Sequence, residues 1–335
     1  MDFKQLEYIL AIEEHGNISR AANALYISQS ALNQQLIHLE KELNTKLFFR
    51  DNRNLWPTQA GKIYLENAKE VMKIKKNTYS LLQDLADSTI GELRLGLTWE
   101  HGIDMFTQIF PAFNARFPHF SIKIFERNVA QQHQMLSAGH LDLGFVMLQE
   151  NERIDANYIP VCHEELILGI PGNHPLACRA AAPGQPLAVL DLALLKDELF
   201  SLIFPESTMR SVIDPLFRAA GFQPKILFET AMNHMLQKAV SRGLCCTIMP
   251  QSYTLSDELP GNISAPLQKP AWFRLKGSTF WDWCMVYPKG IKLNTAAQYL
   301  IQLAKDYGVQ VEEKLHDIRV SRASAKQRHS TYPES

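Results

Sequence analysis

The chain has 335 residues, 46% of them hydrophobic, and a formal net charge of −1. Such a length has room for two or three domains, and the apolar share supports sizeable cores, which excludes a globally disordered chain. The near-neutral balance offers no overall basic footprint, so any contact with nucleic acid has to be local. The opening MDFKQLEYIL lacks a basic region ahead of a long apolar run and is not read as a signal peptide. No stretch approaches a membrane span, and the expected compartment is the cytoplasm. The five cysteines, Cys162, Cys178, Cys245, Cys246 and Cys284, are odd in number and show no CxxC spacing, which suits a reducing compartment and argues against structural zinc.

Phe3, Leu6, Ile9, Leu10 and Ile12 mark a first helix that Gly16 ends. A short helix rich in small residues follows over Arg20–Leu25, with Ser19 as its expected cap. Ser28 caps the next helix, where Leu32, Leu36, Leu39 and Leu43 form one apolar face. Its other face carries Gln29, Ser30, Asn33, Gln34 and His38, short polar groups suited to reading donors and acceptors in a major groove. Leu47-Phe48-Phe49 is an apolar anchor, and Arg50-Asp51-Asn52-Arg53-Asn54 reads as a hairpin wing touching phosphates. The first 60 residues hold Lys4, Arg20, Lys41, Lys46, Arg50 and Arg53 against seven carboxylates. DNA binding therefore requires Arg20, Arg50 and Arg53 on the DNA side, with Glu13, Glu14, Glu40 and Glu42 facing away.

The run AANALYISQSALNQQLIHLEKELNTKLFFR, followed by Thr58-Gln59-Ala60-Gly61, resembles the winged helix-turn-helix of LysR-type transcriptional regulators. Ser30, Asn33 and Gln34 stand where that family often has Pro, Ser and Arg, and Pro57 stands where Leu is common. Base preference is therefore not transferred from the family.

Residues 59–88 read as one linker helix. Val71, Ile74, Thr78, Leu81 and Leu85 step along it by 3, 4, 3 and 4, a coiled-coil-like seam that suits a second copy of the chain. The resemblance implies the same dimerisation, and two heads then face an interrupted inverted repeat near a promoter. Asp87–Gly91 reads as a hinge. Beyond it, strand and helix patterns alternate twice: Leu93, Leu95 and Leu97, then Ile103 to Phe113, and the buried run Leu141–Met147; later Leu166–Ile170, Met209–Ala220, Ile226–Phe228 and Cys245–Met249. The fold class is α/β overall: an N-terminal winged helix-turn-helix, a long linker helix, and a bilobal, periplasmic-binding-protein-like α/β effector domain. The expected divisions are 1–58 for the DNA-binding domain, 59–88 for the linker, 91–161 with 268–308 for lobe 1, 162–267 for lobe 2, and 309–335 for a polar, disordered tail. Phe113-x-x-x-Phe117-Pro118, Gly139-x-Leu141-Asp142-Leu143, Asn173-His174-Pro175-Leu176-Ala177 and Gly243-Leu244-x-x-x-Ile248-x-Pro250 resemble the family's effector domain, with Cys245 where Gly is usual.

The reading assigns base contacts to Gln29, Ser30, Asn33 and Gln34 and phosphate contacts to Arg20, Arg50 and Arg53. Effector contacts are expected at Thr98, Trp99, Glu100, Ser207 and Thr208, where strand ends meet helix N-termini, and the resemblance implies that these loops touch the effector. The alternative role of Thr98, Ser207 and Thr208 is simple helix capping. Cys162-His163-Glu164 groups metal-ligand types, but adjacent residues seldom converge on one ion, and no metal or cofactor is expected. No GxSxG, HExxH or P-loop pattern supports an enzyme. The expected function is a transcriptional regulator controlled by a small molecule, with double-stranded DNA, the effector, a dimeric or tetrameric assembly of itself and RNA polymerase as partners, and no membrane. The alternative is a cytoplasmic small-molecule-binding or interaction module without DNA binding.

Overall fold

A computed structural model describes residues 2–51, 54–85, 90–182, 185–254, 269–277 and 279–327. The first domain packs three helices, α1 (Phe3–His15), α2 (Ile18–Ala24) and α3 (Gln29–Glu42), against a hairpin of β1 (Phe48–Asp51) and β2 (Asn54–Pro57). Asp2 caps α1, and Gly16 ends it in the left-handed region, φ 57°, returning its N–H to the Ile12 carbonyl. Asn17, rather than Ser19, caps α2, so that helix starts earlier than the sequence pattern places it. Leu6, Ile9, Ile12, Ala21, Ala22, Leu32, Leu36, Leu39, Phe48 and Leu55 close the core. Ala21 and Ala22 let α2 approach its neighbours closely, because a larger side chain there would hold the helices apart. Leu43 ends the apolar stripe as the α3 C-cap and is largely exposed.

The linker α4 (Gln59–Leu85) starts against this core. Thr58 Oγ1 donates to the Lys46 carbonyl (2.6 Å) and accepts from the Gly61 N–H (2.9 Å). A Cβ at Gly61 would lie 2.0 Å from the Leu47 carbonyl oxygen. The Thr-x-Ala-Gly run is thus a cap followed by a residue that must lack a side chain.

Lobe I is built on β3 (Ile90–Leu97), β4 (His119–Glu126), β5 (Leu143–Leu148), the first half of β6 (Ala156–Ile170) and β11 (Phe280–Pro288). β3 runs parallel to β4 and β5; β11 is antiparallel to β5 and β6. Helices α5 (His101–Arg116) and α6 (Val129–Ser137) connect its parallel strands, as such crossovers require. Gly96 and Gly144, paired on β3 and β5, make a window into which α6 inserts Gln132, whose amide donates to the carbonyls of Arg127 and Phe145. Lobe II holds β7 (Leu199–Ile203), parallel to β8 (Lys225–Thr230), with α7 (Thr208–Ala219) between them. It also holds α8 (Asn233–Ser241), β9 (Thr247–Pro250) and β10 (Ala271–Phe273), the last two antiparallel to the second half of β6.

One 15-residue strand, β6, therefore runs through both lobes, and Cys162–Glu165 lie at its midpoint. The expected return to lobe 1 at residue 268 is corrected by β10: Ala271, Trp272 and Phe273 pair with Ile170, Gly169 and Leu168 in lobe II, and the chain crosses back only before Phe280. The tail is corrected as well. α9 runs Thr295–Gln327, and as far as Leu315 it is packed on the effector domain: Val311 and Leu315 continue the buried stripe of Leu300 and Ala304, and Glu312 accepts from the His163 backbone N–H at 2.7 Å. Residues 86–89, which include most of the expected hinge, and residues 328–335 lie outside the described residues. Among the described residues, no helix is long and apolar enough to cross a membrane.

Candidate DNA-reading face and effector cleft

Ser28 fixes the start of the reading helix: its Oγ accepts from the Ala31 N–H at 3.2 Å and lies 3.0 Å from Ser30 Oγ. With Leu32, Leu36 and Leu39 buried, α3 turns Gln29, Ser30 and Gln34 to solvent, and Arg20 and Arg50 are exposed as well. Asn33 is half-buried, and its Oδ1 is turned inward without a hydrogen-bond partner among the described residues. Arg53 lies outside the described residues. On the wing, Phe49 and Trp56 form an exposed cross-strand pair, 63% and 59% accessible. Phe49 thus leaves the apolar anchor that the sequence suggests, and Trp56 joins it as a surface group that sequence reasoning missed. Strand alternation carries the signal, because Phe48 points inward and leaves Phe49 on the outer face.

The acidic surplus is neutralised locally. Glu40 is 3% exposed and accepts from the Leu47 and Phe48 N–H groups (2.9 and 3.3 Å) and from Lys46 Nζ (2.7 Å). Glu7 and Glu13 pair with Lys75 and Lys69 of α4, and Glu14 lies 2.8 Å from His140 of lobe I. These acids of α1 are engaged by the linker and the effector domain.

Along α4, Val71 packs on the first domain's core beside Tyr64 and Met72. Ile74 is 63% exposed, and Thr78 is exposed with its hydroxyl bonded to the Ile74 carbonyl. The expected seam thus divides, with Val71 on the inner side. Ile63, Ile74 and Leu82 are large apolar groups left on the outside with Tyr79. For Leu81 and Leu85 only the backbone helix is described.

Between the lobes, α6 and α7 face each other across an open cavity of about 490 Å³, lined by Val129, His133, Ser207, Thr208, Arg210 and Arg218 among others. Ser207 caps α7, accepting from the Met209 N–H, and Thr208 Oγ1 reaches across to donate to the Met147 carbonyl of lobe I at 2.6 Å. Arg210 is held by Asp214, Glu229 and the Ile203 carbonyl, which fixes the loop before α7. His133 is buried and lies 2.9 Å from the Tyr158 hydroxyl; burial lowers its pKa below the ordinary 6.5 and favours the neutral ring.

The expected effector residues separate. Ser207 and Thr208 line this cavity. Thr98 is buried with its hydroxyl on Met147 Sδ (3.3 Å), and Trp99 is 42% exposed. Glu100 stands apart from this cavity. The sequence suggests a charge facing the ligand, but Glu100 is 7% exposed and bonded to the N-terminus of α8, where the donors of the other lobe surround it. Next to it, His101 Nε2 lies 3.4 Å from Glu164 at the midpoint of β6. Glu164 is fully buried and accepts from the Ser252 N–H and from the indoles of Trp281 (3.2 Å) and Trp283 (2.8 Å). Burial pushes its carboxyl up, but the bonds and charge of His101 and the bonds from Ser252 more than offset this, leaving it below the usual range.

Four of the five cysteines are buried. Burial pushes the Cys246 thiol up to about 12 and the Cys284 thiol up to about 11, and raises Cys162 and Cys245. Cys178 is exposed.

A winged helix-turn-helix joined by a long helix to two α/β lobes around a cleft defines a ligand-responsive DNA-binding regulator. Residues 3–62 match the model described as a bacterial regulatory helix-turn-helix protein of the lysR family, and residues 86–308 match the LysR substrate binding domain. The chain belongs to the LysR family of transcriptional regulators. It is 32% identical over 275 residues to a hydrogen peroxide-inducible genes activator of Pectobacterium carotovorum subsp. carotovorum, covering 81% of this chain and 87% of that protein. It is 26% identical over 283 residues to the uncharacterized HTH-type transcriptional regulator YcgK of Bacillus subtilis (strain 168), covering 80% and 85%. The fold is similar to that of a full-length OxyR variant from Pseudomonas aeruginosa, with a TM-score of 0.64 at 19% identity, covering 91% and 94% of the two chains. These matches decide for a DNA-binding regulator with an effector domain over the module without DNA binding.

Proposed function

We propose that two or four copies of this chain read an interrupted inverted repeat near a promoter and answer to a small molecule held between α6 and α7. The observation that carries the reading is α3, with Leu32, Leu36 and Leu39 buried on one side and the uncharged polar groups Gln29, Ser30 and Gln34 exposed on the other. Gln29, Ser30 and Gln34 meet base edges. Asn33 offers only the outer side of its amide, so bidentate pairing with adenine falls to Gln34. Arg20, Arg50 and Arg53 hold phosphates, and the aromatic pair on the wing packs beside them on the sugar edge. The outer side of α4, with Ile74 and Thr78, meets its counterpart in a second chain, and Leu81 and Leu85 belong to the same seam by their sequence spacing. Ser207 and Thr208 contact the effector, with Trp99 at the cleft's rim, and the ligand-dependent arrangement sets contact with RNA polymerase.

Footprinting the DNA upstream of the chain's own gene at several salt concentrations tests this. The expected result is protection of two half-sites that collapses in Gln34→Ala. Absence of protection at any salt by a folded dimer would overturn the operator assignment.

A further inference from the structure

Helix α8 begins at a residue that cannot cap it. Its N-cap is Met232, in extended backbone with no side-chain hydrogen bond to the first turn. Free N–H groups at a helix start need an acceptor. Here the acceptor comes from the other lobe: Glu100 Oε2 accepts from the Asn233 N–H at 2.5 Å, and Oε1 accepts from the His234 N–H at 3.0 Å and from His234 Nδ1 at 2.8 Å. The Tyr253 hydroxyl adds a fourth donor at 3.2 Å. Glu100 reaches this position with φ 61° and ψ −84°, a conformation that costs energy in a residue with a side chain. Such backbone persists when the contacts it permits outweigh its cost, and a carboxylate on two backbone N–H groups at a positive helix end is that kind of contact.

We infer that Glu100 is an interlobe latch: lobe I supplies the missing cap of α8 in lobe II, and the cleft stays closed on its hinge side only while that carboxylate is seated. Opening the lobes uncaps α8, so lobe movement and order in the first turn of α8 are one equilibrium. An effector then acts by favouring the latched or the unlatched arrangement. That regulatory meaning rests on the cleft being the effector site, whereas the latch is tested without effector or DNA, so failure of one is distinguishable from failure of the other.

The test uses the full chain with spin labels on Ser137→Cys of lobe I and Ser211→Cys of lobe II, in a Cys178→Ser background, diluted with unlabelled protein. Amide exchange of residues 233–236 is followed in parallel. Glu100→Ala is expected to speed that exchange roughly tenfold, the scale of an N-cap, and to add a longer interlobe distance. Glu100→Gln, which keeps one acceptor and the side-chain shape, gives an intermediate change in both. Adding Met232→Ser to Glu100→Ala gives α8 a cap of its own: exchange slows again while the longer distance remains. Unchanged exchange in Glu100→Ala and Glu100→Gln overturns the inference. So does faster exchange with an unchanged distance distribution, which would make Glu100 a cap and not a latch.

Discussion

Replacing Glu40 by Ala tests whether the reading domain depends on a buried carboxylate. Glu40 is 3% exposed and serves the Leu47 and Phe48 N–H groups at the entry to the wing. Each backbone N–H left buried without an acceptor costs about 1–3 kcal/mol. The bond to Lys46 adds little, because that lysine is 70% exposed and its pairing is screened. The expected loss is therefore about 2–6 kcal/mol, against a total of roughly 5–15 kcal/mol for a domain. Glu40 Oε1 serves both N–H groups, so Glu40→Gln, which keeps that oxygen and gives up only the Lys46 bond, should lose well under half as much. Denaturant titration of the full chain, with amide exchange of Leu47 and Phe48 as the local readout, measures both. If Glu40→Ala shifts the first domain's unfolding by less than about 0.5 kcal/mol, the scale of a neutral surface change, the buried-acceptor argument is wrong.

Arg50→Ala should weaken binding to all DNA alike and lower the slope of log K against log salt by about 0.9; a changed sequence preference instead would move Arg50 among the base readers. Gln34→Ala should cost about 1–3 kcal/mol on the preferred half-site and little elsewhere, seen in competition binding with single-base variants. A thiol reagent should label Cys178 fast in the native chain and the other cysteines only on unfolding, because their thiols are buried and burial holds their pKa high; a second fast thiol would refute this. Acid should destabilise the effector domain through His133. Its folded pKa is lowered by burial, so the unfolded chain takes up the proton first. The stability tied to neutral His133 is complete above pH 6.5 and is lost as the pH falls through the lowered folded value. Melting followed by circular dichroism between pH 7.5 and 5.5, values chosen to bracket roughly that window, should show a smaller acid loss in His133→Gln.

The apolar periodicities are legible in the sequence because they are local. Leu32, Leu36 and Leu39, the Ser28 cap and the Thr58 cap all stand where spacing places them. Charges are less legible, since a carboxylate's role depends on what surrounds it. Glu40 looks like any solvated helix glutamate until β1 folds over it. Glu100 follows a strand like a ligand residue, but its partners, Asn233 and His234, lie 133 and 134 residues further along the chain. Val71 fits a heptad as well as it fits the first domain's core, and periodicity alone cannot choose between two apolar neighbours. The extension of α9 to Gln327 is hidden by its polar composition: the buried anchors that continue the stripe there, Val311 and Leu315, are too sparse to stand out from the charged residues around them.

The linker is fastened to lobe I. Asn77 donates to the Gly290 carbonyl at 2.8 Å and accepts from the Lys292 N–H at 3.0 Å, so one amide ties α4 to the loop before α9 at both its ends. His140 of the same lobe meets Glu14 of α1. The reading head, α4 and lobe I are thereby joined by direct contacts, and lobe II is joined to lobe I through β6, the returning chain before β11 and the contacts of Glu100 and Thr208. Movement of lobe II about that hinge leaves the head of its own chain in place on lobe I. On the proposed dimeric reading, a change in the spacing of two heads comes from lobe II pressing on a second subunit. On the proposed reading, a monomeric form would bind the effector but transmit nothing to DNA, and its affinity would differ from the assembled form's by the factor that reciprocal coupling to the neighbouring subunit requires.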